Sequence, residues 1–349
     1  MATTTITTST DSVKLDASGP PTTKRDGQLP KPIDIYGAPY FDNENGQTLP
    51  PLELYDHDER GKYADPTFSS LLKEGSTIKD VTKSIGAEVK GVQLSQLDGK
   101  GKDELALLVA QKKDFASLPI QEAVDFVSYF GRLHVHPVSG ASKGFPAVHL
   151  VHRAPDDLTP QREFESKTTS ISWHSDVSYE KQPPGTTFLY AIEVPEVGGD
   201  TIFVNQVKAY ERLSPEFRER LSGLKVVHSA VEQAEAARKR GRKVRREPVS
   251  TVHPLVRTHP VTGEKALFVN PQFSRYIVGY KREESDNLLN FLYRHIALGQ
   301  DFQCRVSWGP RSVVVWDNRV TAHSGMVDWD GALYRYIARL APQAEVPAE

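Results

Sequence analysis

His174-Ser-Asp176 lies within Trp-His-Ser-Asp-Val-Ser-Tyr, and far downstream His323 ends the stretch Trp-Asp-Asn-Arg-Val-Thr-Ala-His. On an extended segment, side chains two apart share a face, so His174 and Asp176 can grip one ion. His323 completes the set only if the fold brings the two stretches together. Two histidines and one carboxylate form a facial triad, which leaves one side of a non-haem Fe(II) open, unlike a closed structural zinc site. By itself His-x-Asp arises by chance, and a lone histidine is more often a core or surface residue. The neighbouring residues carry the rest of the argument.

Downstream of His323, Ala332-Leu-Tyr-Arg-Tyr-Ile-Ala-Arg-Leu-Ala341 places Leu333, Arg335, Ile337 and Arg339 on one face if it is a strand. Arginines on an otherwise apolar face need anionic partners, since an unpaired buried charge is costly. Guanidinium groups match carboxylates and sulfonates through forked, charge-assisted hydrogen bonds, so two of them suggest two anions near one metal: a cosubstrate and a primary substrate. The other reading is that both arginines pair with Asp or Glu of the chain itself.

From about Val81 to Ala341 the chain resembles the taurine dioxygenase family of iron- and 2-oxoglutarate-dependent oxygenases. The carriers are Gly131-Arg-Leu-His-Val-His-Pro137, Trp173-His-Ser-Asp-Val-Ser-Tyr179, Pro183-Pro-Gly185, Gly198-Gly-Asp-Thr201, His259-Pro-Val-Thr-Gly263, Ala266-Leu-Phe-Val-Asn270 and Trp316-Asp-Asn-Arg319. The resemblance implies Fe(II) held by His174, Asp176 and His323, with 2-oxoglutarate and O2 as cosubstrates. It assigns Thr201 and Arg335 to the far carboxylate of 2-oxoglutarate, and Arg339 and His136 to a sulfonate. Val177, Tyr179 and Phe273 become the apolar wall around the substrate's carbon chain. Each has a plainer alternative: Thr201 as a strand residue, His136 as a surface histidine, Phe273 as core filling.

The implied reaction hydroxylates the carbon next to the sulfonate of taurine or a related alkylsulfonate, releasing sulfite, aldehyde, succinate and CO2. Two departures bear on this. Ser139 and Ser170 stand where taurine dioxygenases carry a tyrosine and an asparagine near the sulfonate and amine ends. That weakens the case for an aminated substrate and leaves room for another sulfonate, a carboxylate, an amino acid or a biosynthetic intermediate. In addition, Ala110-Gln-Lys-Lys113 runs straight into Asp114-Phe-Ala, where the family carries an apolar strand. A lost central strand would expose its neighbours' backbone groups, which is the motive for a degenerate, inactive alternative.

Lys plus Arg number 43 and Asp plus Glu 45, so a formal charge of −2 gives no global attraction to nucleic acid or membrane. A single cysteine, Cys304, rules out an internal disulfide framework and fits a reducing, cytoplasmic setting. No stretch approaches the roughly 20 apolar residues of a membrane span, and Met1 to Ser18 lacks the apolar core of a signal peptide. The expected partner is a small anion, with a homo-oligomer open.

Residues 1–64, rich in Thr, Ser, Pro, Gly and charge, read as a flexible or surface-hugging arm, in which 33–40 and 52–55 can pack on the domain. Residues 65–343 read as the dioxygenase domain and 344–349 as a tail. Helices are expected over 102–113, from Leu118 to Phe130, over 206–224 and over 282–298. Strands are expected within 85–94 and over 187–193, 200–205, 302–308, 312–316 and 332–341. Many short strands with covering helices give a mainly β, α+β class, and the resemblance specifies a double-stranded β-helix, the cupin-like jelly roll. The run Arg238-Lys-Arg-Gly-Arg-Lys-Val-Arg-Arg246 reads as solvated surface, and the resemblance implies that it belongs to a basic, lid-like loop, about 232–250, that would steer anions. A nuclear-localisation or nucleic-acid role is the alternative.

Overall fold

The computed structural model describes residues 41–42, 48–112, 120–142, 144–153, 164–165, 167–309, 312–329 and 333–349. Its centre is a six-stranded antiparallel sheet in the order Phe41–Asp42, Ala141–Ser142, Phe145–Arg153, Arg335–Leu340, Thr186–Glu193, Val313–Asp317. A three-stranded antiparallel sheet, Gln303–Val306, Thr201–Asn205, Thr321–Gly325, packs on it. The period-two alternation of strands explains how the two sheets share the apolar residues.

Phe188, Tyr190, Val313, Val315, Ala338 and Leu340 face outward beneath two helices, Gly99–Lys112 and Ile120–Ser128. Leu189, Ala191, Val314, Trp316 and Ile337 face inward and meet Phe203 and Cys304 of the smaller sheet. The sheet is therefore buried on both faces, and even its charged residues Arg335 and Arg339 lie among buried neighbours. Leu333 does not join them: it lies ahead of the strand and is 45% exposed.

The helix expected over 206–224 is two helices, Gln206–Glu211 and Pro215–Leu221. Pro215 lacks the N–H a helix interior needs, and Ser214 caps the second helix by accepting from the amide of Phe217 at 3.3 Å. The helix Arg282–Leu298 runs as expected, with Leu289, Leu292 and Ile296 in the core.

Part of the lid-like stretch is also regular, since Val231–Lys239 is a helix that buries Ala234 and Ala237. Nor is the basic run wholly solvated. Arg246 is buried beside Glu180 at 3.6 Å, and Arg245 donates to the carbonyls of His136 and Ser139 at 2.7 and 2.8 Å.

Within 48–64 the chain is tied down, Tyr55 donating from its hydroxyl to the carbonyl of Gln343 at 2.5 Å. The C-terminal residues are likewise held: Ala344 is buried and Glu349 accepts from Lys265 at 3.0 Å. Residues 1–40 and 43–47 lie outside the described residues, as do 113–119, where most of the apparent strand loss falls. Residues 110–112 belong to the first helix.

Candidate active site

The sequence places His174 and Asp176 on a strand, but the structure does not. His174 forms an isolated antiparallel bridge with His323, each amide donating to the other's carbonyl at 3.0 and 2.8 Å. The chain then leaves the bridge in a turn, where Val177 takes φ 40°, a left-handed conformation unusual for a β-branched residue. Asn318 holds that turn: its Oδ1 accepts from the Asp176 amide at 2.7 Å and its Nδ2 donates to the Asp176 carbonyl at 3.0 Å. His323 sits mid-strand, opposite Phe203.

The three side chains converge. Nε2 of His174 and of His323 lie 3.6 and 3.8 Å from Asp176 Oδ1, and one ligand atom from each residue can be chosen with all within 4.8 Å of one another. His174 Nδ1 faces the Ser172 carbonyl at 2.8 Å and must carry the proton there, since a carbonyl only accepts. Its Nε2 therefore turns a lone pair toward a carboxylate. Asp176 Oδ2 is buried with no hydrogen-bond partner among the described residues. A lone pair turned toward a buried carboxylate that keeps one oxygen unpartnered is an arrangement that a divalent cation completes, so the donor set fits Fe(II).

Burial depresses His174 below the ordinary imidazole range and, with the neighbouring His174, pushes His323 down to about 3. Burial opposes ionisation of Asp176, but Arg339 and the two imidazoles outweigh it and hold the carboxyl below its usual range. Two neutral imidazoles and one carboxylate are the protonation states that metal ligation requires.

These ligands open into a cavity of about 230 Å³. Arg335 and Thr201 are among the residues that line it. Arg335 donates from Nε to the Gly199 carbonyl at 2.8 Å, and Thr201 Oγ1 accepts from Trp308 Nε1 at 3.1 Å. Gly199 has φ +69°, and a Cβ there would sit 3.1 Å from Arg335 Cδ, so this turn can pass so near the guanidinium only as glycine. Burial, with Arg153 nearby, pushes Arg335 down to about 10, still cationic at neutral pH.

Arg339, His136, Val177 and Phe273 line the same cavity. Arg339 Nη1 hydrogen-bonds Asp176 Oδ1. Tyr179 does not line the cavity; it packs edge-on against Phe273 at 5.0 Å, its hydroxyl donating to Gln233 Oε1 at 3.1 Å. Ser139 lines the cavity, whereas Ser170 accepts from the Val327 amide instead.

Residues 77–340 match the model of the Taurine catabolism dioxygenase TauD, TfdA family. The chain belongs to this family. It is 43% identical over 310 residues to the alpha-ketoglutarate-dependent sulfonate dioxygenase of Saccharomyces cerevisiae, covering 86% of this chain and 75% of that one. An alpha-ketoglutarate-dependent dioxygenase of Penicillium expansum, cnsM, is 41% identical, with 88% and 89% covered. Among solved structures, a taurine dioxygenase from Burkholderia xenovorans superposes with a TM-score of 0.65 at 31% identity, covering 78% of this chain and 92% of that one.

Other family motifs serve as braces. Asp317 receives Arg319 at 2.7 Å and His259 at 2.9 Å in a fully buried cluster that fixes the turn carrying Asn318. Sequence reasoning missed His149, Gln233 and Gln272 as cavity residues. The usable signal for His149 was the alternation of Phe145–Arg153, which sets it on the same face as Val151, another cavity residue.

Proposed function

We propose that this chain is an Fe(II)- and 2-oxoglutarate-dependent dioxygenase that oxidises the carbon next to the sulfonate of taurine or a related alkylsulfonate. One observation carries the reading: the triad lies in one cavity with two buried arginines, Arg335 and Arg339, at separate places on its wall. The two packed sheets are read as the jelly roll of the family, with the site between them.

When bound, Fe(II) would activate O2, the oxidant, with 2-oxoglutarate giving two of the four electrons as it becomes succinate and CO2 and the substrate giving the other two. His174, Asp176 and His323 hold the metal from one side. Arg335 and Thr201 fix the far carboxylate of 2-oxoglutarate. Arg339, with His136 beside it, takes the sulfonate through charge-assisted hydrogen bonds. Phe273 and Val177 line the carbon chain, and Leu189, Ile337 and Trp316 keep the interior apolar. The chain's contribution is positional: the anion clamp presents one C–H bond to the oxidant, a proximity effect. Hydroxylation there gives an α-hydroxysulfonate, which expels sulfite and leaves an aldehyde.

Purified protein supplied with Fe(II), ascorbate, O2 and 2-oxoglutarate should release succinate and sulfite in equal amounts from a preferred alkylsulfonate. Succinate without sulfite across sulfonates, but with a hydroxylated carboxylate or amino acid, would move the substrate elsewhere while retaining the chemistry. No succinate with any substrate would overturn the reading.

A further inference from the structure

His149 is the one cavity histidine that neither the triad nor the arginine clamp uses. It lies in the interior of the larger sheet, flanked across the strands by Ala141 on one side and Arg339 on the other. Its neighbours Val148 and Leu150 point into the helix-covered core, so its own side chain points the opposite way, into the cavity. Its ring stacks on His136 with centroids 4.5 Å apart and planes 19° off parallel.

The hydrogen bonds around this pair are unevenly filled. His136 Nδ1 accepts from the amides of Val138 and Ser139 at 3.3 and 3.2 Å, so the proton of the neutral ring sits on Nε2. His149 Nδ1 has no partner among the described residues, and neither has Nε of Arg339 across the strand. An aliphatic residue at 149 would pack here without the cost of desolvating an imidazole, so the polar ring calls for a ligand that completes its bonding. Burial drives both imidazoles well below their ordinary range, which leaves Arg339 as the formal charge and the two rings as neutral donors.

We infer that His149 is a further hydrogen-bond donor to the substrate's anionic head, and that it tunes the site to a pyramidal head with three oxygens, sulfonate or sulfate, over a flat carboxylate. The inference rests on the sulfonate reading above for the position of that head beside Arg339. A forked guanidinium occupies both oxygens of a carboxylate. The lone pairs left on a carboxylate lie in the plane of that fork, whereas the third oxygen of a pyramidal head stands out of the plane and offers the stacked imidazoles an acceptor there. A carboxylate leaves a buried donor unpaired, the situation in which sites built for hydrogen bonding discriminate most strongly.

The test compares wild type with His149→Leu and His149→Gln on an alkylsulfonate, an alkyl sulfate ester and a carboxylate of equal chain length. Readouts are succinate, sulfite and sulfate release, with 2-oxoglutarate affinity as the control for folding. His149→Leu should raise KM for the three-oxygen substrates by about tenfold or more while changing the carboxylate value by less than about threefold. His149→Gln keeps an N–H and should regain much of the preference.

Equal effects on all three substrates, or none, with 2-oxoglutarate affinity retained would overturn the inference. If His149→Leu loses 2-oxoglutarate affinity, His149→Phe, a flat ring without an N–H, decides: a preference lost with 2-oxoglutarate affinity intact supports the role, and a preference retained refutes it. A wild type that favours the carboxylate refutes it outright. A wild type that favours sulfate esters over carboxylates yet frees no sulfite from sulfonates removes the sulfonate reading and leaves the His149 assignment standing.

Discussion

Among the described residues, two places gather one or two histidines and carboxylates within reach of a common ion, and only one is built to hold it. His174, Asp176 and His323 form the first; His57, Glu59 and Glu345 form the second. By residue type the two are near equivalents. In the second set, however, the carboxylates are already bound: Glu59 by Arg319 and by His57 at 3.3 Å, and Glu345 by Arg257 and by Arg319 at 3.4 Å. The space beside them is about 10 Å³, too little for a hydrated ion. In the first set Arg339 takes only Oδ1 of Asp176, and Oδ2 is left unpartnered, with the His174 Nε2 lone pair nearby, beside a cavity more than twenty times larger. Ligand type proposes a site; unfilled hydrogen-bonding capacity and room select it.

The comparison breaks most easily at the metal. His174→Ala or Asp176→Ala should abolish succinate formation and Fe(II) binding, a loss beyond the roughly 10- to 100-fold that follows removal of an outer partner. His57→Ala should leave both intact. Near-normal turnover in either triad variant, or two Fe(II) per chain by titration, would make the two clusters equals after all.

Next in size, Arg339→Ala should raise the apparent KM for the sulfonate on the order of 100-fold, with iron and 2-oxoglutarate binding retained. Unchanged affinity for every sulfonate tested would discard the clamp.

The second cluster should answer in stability instead. Glu59→Gln leaves Arg319 a buried cation with less compensation, so unfolding should become easier by about 3 kcal/mol while kcat stays unchanged. The pH dependence sharpens this. Burial opposes ionisation of Glu59, but Arg319 and His57 prevail and hold it at about 2. A depressed folded-state value contributes stability that is present above the unfolded value of about 4.5 and lost as pH falls toward 2. Acid unfolding between about pH 4.5 and 2 should therefore be steeper in wild type than in Glu59→Gln, and coincident curves would deny Glu59 its buried partner.

The smallest effect should come from Arg245→Ala. It frees the carbonyls of His136 and Ser139 and should raise the sulfonate KM only several-fold, short of the roughly tenfold lower bound for outer partners of a metal. If the change matches Arg339→Ala, Arg245 itself contacts the anion.

How much of this was legible in the chain depends on range. Helix 282–298 and the strands near 187, 201, 313 and 335 follow from local patterns, and the break at Pro215 was available to the same reasoning. The triad was legible because its three members sit in recognisable motifs. Tyr179 sits in the same motif as Asp176, yet the left-handed Val177 sends the chain away and Tyr179 ends one layer behind the wall. His149 lies in no motif: the alternation of its strand gives the face it shares with Val151, but only the pairing with Arg339 brings that face to the cavity, a register that no local pattern states.

The sequence by itself determined the donors: two imidazoles, a carboxylate and two arginines on an apolar strand, chemistry carried by residue type and short spacing. Tertiary structure alone decided which donors meet unfilled. Whether a carboxylate is closed into a cluster of guanidinium groups, as Glu59 is, or keeps one unpartnered oxygen beside a cavity although Arg339 holds the other, as Asp176 does, depends on contacts between residues far apart in the chain. Such contacts are set by strand register and by the packing of one sheet on another, and a hydrogen-bonded partner must lie within about 3 Å.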